Sequence, residues 1–278
     1  GQCSTAPGQG THRRESPRLR GDPAFLASPP RLSSATVAGS DIMDSWSCEG
    51  RRVVVTAGAA GIGRAMVDAF CAAGATVHVA DLPGGDDGLP DGVGFTGTDV
   101  ADASDVDRLF AEAVVGMGGV DVLCNNVGVS GPTGPIEELE VADWDETMAV
   151  NIRSMFLCCR RAVPLMREAG GGSIINTSST AGQVGYPLRA PYAVSKWAVV
   201  GLGATLAMEL GEFGIRTNTI CPGSVDGDRM DRVVAAEAAA LGVDESEVRS
   251  RYQDQVSMRT FVDGRDIAAM AVFLASAA

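Results

Sequence analysis

The sequence predicts an α/β fold: a doubly wound parallel sheet with helices on both faces, in three α/β/α layers. Three observations predict it. From Arg52 onward, short apolar runs suited to doubly buried strands alternate with segments of 3.6-residue period. A glycine-rich turn, Gly58-Ala59-Ala60-Gly61-Ile62-Gly63, joins the first such run to the first periodic segment. The length of 278 residues, 45% of them hydrophobic, suits one α/β domain with an ample core.

Residues 1–45 stand apart. Gly, Pro, Ser and Arg dominate and no period survives, so they read as a disordered or non-native extension before a domain spanning 46–278. The segment is rich in Arg and Ser like a transit peptide but has no clear amphipathic pattern, and a start at Met43 is expected. Val53-Val54-Val55 reads as a strand buried on both faces. Ile62, Ala65, Met66, Ala69, Phe70 and Ala73 form a helical stripe. Thr76–Ala80 is the next strand, ending at Asp81. Further strands are expected at 93–97, 120–125, 173–177 and 216–221, and helices at 104–115, 141–168, 191–213 and 265–275. Between the sixth strand and the last helix lies a helical insert (about 226–258), expected to cover substrate as a lid.

A net charge of −13 argues against a general nucleic-acid or anionic-membrane surface. No apolar run reaches the roughly 18 residues expected of a membrane span. Seven scattered cysteines without a CxxC pair predict reduced thiols and a cytoplasmic protein. With His12 and His78 alone, neither a metal site nor a Ser-His-Asp triad is expected.

Lys196 is the only lysine among 22 basic residues, and it lies four positions after Tyr192. On a helix these two share a face. An ordinary tyrosine is a poor base at pH 7, whereas a cation within a few ångströms favours the phenolate. A compact ammonium on a flexible stem can lie under a phenol and contact a sugar hydroxyl together, which a rigid guanidinium does less well. The pair points to proton transfer at an alcohol or carbonyl. The glycine turn supplies the other half of the chemistry: its missing β-carbons let backbone approach a pyrophosphate at a helix N-terminus. Asp81, 18 residues beyond Gly63, is placed to accept the hydroxyls of an adenosine ribose and to repel a 2′-phosphate, favouring NAD over NADP.

These features together resemble the short-chain dehydrogenase/reductase family, in its single-domain Rossmann-fold branch, from Met43 onward. Thr56, Gly61 and Gly63 match the family's T-G-x-x-x-G-x-G, with Ala57 in place of the first glycine and Gly58 one position later. The resemblance implies an adenine contact at Asp99 and Val100. It also implies a sheet-steadying, cofactor-lining segment at Asn125-Asn126-Val127-Gly128. Asn151 would hold a water in a proton relay, and Ser179, 13 residues before Tyr192, would orient the substrate oxygen. Pro222 and Gly223, followed by Ser224 and Val225, would abut the nicotinamide. The usual threonine four places after that glycine is Gly227, so its contact is lost or moved to Ser224.

The reaction implied is reversible hydride transfer between NAD and a secondary alcohol, with Tyr192 as general acid/base and Lys196 holding the cofactor ribose. The alternatives are a cofactor-binding regulatory or scaffold protein, and epimerase or dehydratase chemistry on the same fold. Ser130, Gln183, Tyr186 and Arg189 are expected at the substrate pocket; Arg189, Arg229 and Arg232 read as surface charges or as contacts to a carboxylate or phosphate. The family's seventh strand does not follow the last helix in this sequence, which reads as truncated there; with that strand a homodimer or homotetramer is expected, and without it an exposed edge on the sixth strand, lower stability and impaired assembly.

Overall fold

The protein is described by a computed structural model covering residues 46–277; the expectations for residues 1–45 lie outside the described residues. Six parallel strands form one sheet in the order β3-β2-β1-β4-β5-β6. They are β1 (Arg52–Thr56), β2 (Thr76–Asp81), β3 (Gly94–Gly97), β4 (Val122–Asn125), β5 (Gly172–Thr177) and β6 (Ile215–Ile220). The direction of strand order reverses between β1 and β4, the crevice where doubly wound sheets bind ligands.

The strands are apolar without alternation because both faces are covered. Val54, Leu123 and Ile174 face one core, with Leu109 and Phe110 of α2 (Ala103–Met117) and Leu157 and Met166 of α4 (Ser154–Glu168). Their neighbours Val53, Val55, Val122 and Ile175 face the other. There they meet Met66 and Phe70 of α1 (Gly61–Ala72) and Ile267 and Ala271 of α8 (Gly264–Ala275). Arg52 clamps Asp121 through two guanidinium nitrogens and its own backbone amide (2.6–2.9 Å), fixing the starts of β1 and β4 together.

The single helix expected over 141–168 is α3 (Val141–Met148) and α4 joined by a π-helical turn, Ala149–Arg153, which carries Asn151. Helix α5 (Ala190–Leu210) lies so close to β6 that a β-carbon on Gly203 would strike the Thr219 hydroxyl. With its 3₁₀ extension to Phe213, this helix is long and apolar enough to cross a membrane by length and composition, which corrects the expectation of no such run. Its contacts with β6 and its buried Ser195 and Lys196 pack one face of it against the sheet.

The insert is two helices, α6 (Asp228–Leu241) and α7 (Glu245–Asp254), with their own small core of Met230, Val234, Val248 and Tyr252. A parallel bridge between Val225 and Val262 closes its base. Within the described residues β6 is an edge strand.

Candidate active site

The loops singled out in the sequence leave the carboxyl ends of strands, while Asn151 lies in the π turn and Tyr192 and Lys196 lie on α5. After β1, the Thr56 hydroxyl accepts from the backbone amides of Asn126 (3.0 Å) and Val127 (3.1 Å), tying the glycine loop to the segment after β4. Asn126 donates from Nδ2 to the carbonyls of Thr56 and Ala57 at 3.3 Å. A β-carbon on Gly63 would collide with the Ala57 carbonyl, and one on Gly58 would lie 2.9 Å from Val79. Ile62 packs beside the α1–α8 core. The Asp81 carboxylate accepts from the amides of Ala59 (2.9 Å) and Leu82 (2.8 Å), so it sits on the loop's shoulder. Asp99 is exposed at the end of the β3 segment and accepts from the Ala101 amide, beside buried Val100.

Asn125 turns out to be a strut. It is buried, and its Nδ2 donates to Asn176 Oδ1 (2.9 Å) and Cys159 Sγ (3.3 Å), inside the sheet. Val127 and Gly128 are half-buried at the crevice.

Four groups converge beyond β4 and β5. Lys196 is 2% exposed; its Nζ donates to the Thr177 carbonyl (3.0 Å) and lies 5.7 Å from the Tyr192 ring centre. Burial pushes the Lys196 ammonium down to about 7, the nearby charge of Arg229 works the same way, and Cys221 opposes both. Asn151, fully buried, accepts from the Val129 amide (2.7 Å) and donates to the Val129 carbonyl (3.0 Å) and Ser195 Oγ (2.9 Å). Ser195 in turn donates to the Tyr192 carbonyl (2.7 Å), a link between Asn151 and the tyrosine that the sequence did not signal. A β-carbon on Gly128 would lie 3.2 Å from Asn151 Oδ1 and 3.3 Å from Lys196 Nζ, so one backbone position touches both side chains.

The two serines after β5 divide their work. Ser178 is buried and donates to the Lys196 carbonyl (2.7 Å), fixing the helix. Ser179 is half-exposed; among the described residues its Oγ accepts from the Ala181 amide alone (3.2 Å) and donates to none, which leaves its proton for another acceptor.

After β6, the Pro222 carbonyl accepts from Thr180, and Gly223 opens onto empty space, with nothing within 4 Å of where its β-carbon would be. Ser224 and Val225 are tied through backbone to Val262. Gly227 has φ 126°, a conformation suited to glycine and strained for the threonine of the family pattern.

Around the expected pocket, Gln183 is exposed and Tyr186 donates to Tyr252 (2.5 Å), which donates to Glu237 (2.6 Å), joining the insert to the Ser179–Tyr192 loop. Arg189 donates to the Ser130 carbonyl (3.0 Å). Arg229 and Arg232 are surface charges; Arg189, at 4% exposure, is not.

The arrangement fits a dinucleotide. The N-terminus of α1 has neither a side-chain cap nor an acidic residue in its first turn, leaving its amides and positive dipole end for an anion. Lys196 has three protons, and Thr177 is its one hydrogen-bond acceptor among the described residues.

The pattern of the short chain dehydrogenase family matches residues 51–238. The chain belongs to the short-chain dehydrogenases. Among its relatives are D-threitol dehydrogenase of Mycolicibacterium smegmatis, 38% identical over 63% of this chain and 70% of that one, and D-beta-hydroxybutyrate dehydrogenase of Rhizobium meliloti, 30% identical over 81% and 91%. The crystal structure of levodione reductase superposes with a TM-score of 0.77 at 28% identity, covering 81% of this chain and 90% of that one. The chain is therefore an oxidoreductase acting on CH–OH groups, and short-chain dehydrogenases of this kind use a nicotinamide cofactor.

Proposed function

We propose that this short-chain dehydrogenase interconverts a secondary alcohol and its ketone with NAD, using Tyr192 as general acid/base. The observation that carries the reading is the convergence of Lys196 and Asn151 on Gly128, with Lys196 Nζ 5.7 Å from the Tyr192 ring centre, at the crevice beside an uncapped helix N-terminus. The chemistry supplied by a bound nicotinamide dinucleotide is hydride exchange at the alcohol carbon. Tyr192 takes the hydroxyl proton in oxidation and returns it in reduction. Lys196 stabilises the phenolate and holds ribose hydroxyls with its free protons. Ser179 donates to the substrate oxygen. Asn151 holds the Val129 backbone and Ser195 in place and, through its remaining Oδ1 lone pair, orients a water that carries the proton onward.

The cofactor is held by the α1 amides, Thr56–Gly63, Asp81, Asp99, Val100, Val127, Gly128 and Pro222–Val225. Asp81 supports NAD over NADP, because a carboxylate there would face a 2′-phosphate. Helices α6 and α7 act as the substrate lid, supported by the Tyr186–Tyr252–Glu237 chain. Six unbridged cysteines among the described residues support a reducing, cytoplasmic setting. Exposed Phe156 on α4 and Val194 and Trp197 on α5 support a homo-oligomer.

Absorbance of the reduced nicotinamide, followed with a panel of secondary alcohols and each dinucleotide, tests the reading. NAD-linked oxidation of at least one class is expected; absence of turnover with every alcohol and both dinucleotides would defeat it.

A further inference from the structure

Arg189 is the one buried guanidinium beside the candidate base, and its surroundings are unusual. It is 4% exposed, its guanidinium carbon lies 4.9 Å from the Tyr192 ring centre and 5.8 Å from that of Tyr186, and its Nη2 donates to the Ser130 carbonyl. Its Nε is buried and has no hydrogen-bond partner, and among the described residues no carboxylate pairs with the side chain. A desolvated cation without a counter-charge is costly. Its position makes matters worse: Arg189 is the N-cap of the 21-residue helix α5, where the helix dipole disfavours positive charge. Lys196, its Nζ 5.7 Å from the same Tyr192 ring centre, adds a second buried cation to the site.

The backbone is strained to put the arginine there. Leu188 has φ 62°, a left-handed conformation that a β-carbon disfavours, and the Gly134 amide pins its carbonyl at 2.9 Å. Such outliers persist where the surrounding structure enforces them, characteristically at ligand sites.

We propose that the substrate carries an oxyanion (a carboxylate, phosphate or sulfonate), which pairs with the Arg189 guanidinium beside Tyr192. This deepens, and rests on, the reading of the site as an alcohol dehydrogenase. The guanidinium and the phenol lie against one another, so the oxyanion and the reacting hydroxyl are separated by a short carbon chain. The tyrosine rings on either side keep water from the pair and supply cation–π attraction to the guanidinium.

The test uses matched secondary alcohols of one carbon skeleton: short 2- and 3-hydroxycarboxylates against their carboxamides, and hydroxyalkyl phosphates and sulfonates against the corresponding neutral diols. The wild-type protein is expected to favour the anionic member of at least one pair by at least about tenfold in kcat/KM, mostly through KM. In Arg189→Met that preference collapses towards unity; in Arg189→Lys, which keeps the charge and loses the fork, part of it returns. Equal or better use of the neutral member by the wild type, or an intact preference in Arg189→Met, overturns the proposal.

A wild type that oxidises no alcohol at all defeats the dehydrogenase reading, and the anion site is then judged by thermal melting with millimolar butyrate, methyl phosphate or methanesulfonate. A rise of a few degrees in the wild type and none in Arg189→Met supports the site. No rise with any of the three overturns it.

Discussion

Ala57 holds a left-handed backbone conformation, φ 51°, at the first turn of the phosphate loop. The family pattern has glycine there, and the physical reason is now visible: a β-carbon in this region costs an L-residue about 1–2 kcal/mol. Ala57→Gly is expected to raise stability by about 0.5–1 kcal/mol, the strain relief exceeding the entropy glycine adds to the unfolded chain. Denaturant melts of the two proteins check it; a less stable glycine variant would contradict it. At Asp81, whose carboxylate rests on the Ala59 amide, removing the charge in Asp81→Asn is expected to narrow the preference for NAD over NADP by about tenfold or more, read as a ratio of kcat/KM values. Residue identities were legible wherever chemistry demands a type at a spacing, as with Tyr192 and the lone Lys196. Arg189 was legible as a pocket residue but its burial was not, because that depends on the Leu188 backbone and on Ser130, 59 positions away. Ser195 also escaped, since its partners are set by the fold.

At the scale of elements, helix α5 joins the site to the sheet. Gly203 allows its close approach to β6, and a β-carbon there would strike Thr219 and come within 3.4 Å of Asn176 Nδ2. Gly203→Ala is therefore expected to destabilise the protein by about 1–3 kcal/mol, despite alanine's better helix propensity. An unchanged or raised midpoint in urea would show that the helix has room to spare. The strand and helix sequence was readable from periodicity, with ends misplaced by one to three residues where fraying blurs them. What periodicity hid was the π turn at Ala149–Arg153. The π turn sits between two helices that run on in sequence without a Gly or Pro to mark it, and it sets Asn151 against Val129 and Ser195. The apolar character of α5 over its full length likewise escaped, because no unbroken apolar run marks it in the sequence.

For the whole molecule, the buried Lys196 links the site to global stability. It titrates near 7 in the fold and at 10.5 when unperturbed. Between those values the unfolded chain holds the extra proton, so this residue's contribution to stability rises with pH across that window. Below about 7 the penalty is fully present, and above 10.5 it is gone. The cofactor-free wild type is expected to gain stability relative to Lys196→Met as pH climbs from 7 to 10; parallel melting curves would contradict it. The parallel sheet and its two covered faces followed from the alternation of elements. The strand order, and with it the crevice between β1 and β4, came from pairings between strands as far apart as Val53 and Val122, which no local pattern encodes.

The central claim is that Tyr192 carries the proton in an alcohol–ketone interconversion. Its most direct measurement is the turnover of Tyr192→Phe with the best alcohol and NAD, beside a melting curve and cofactor titration showing that the variant still folds and binds dinucleotide. The account predicts that kcat falls by about 10²-fold or more while folding and cofactor binding persist. Turnover within a few-fold of the wild type in that folded, cofactor-bound variant would contradict it.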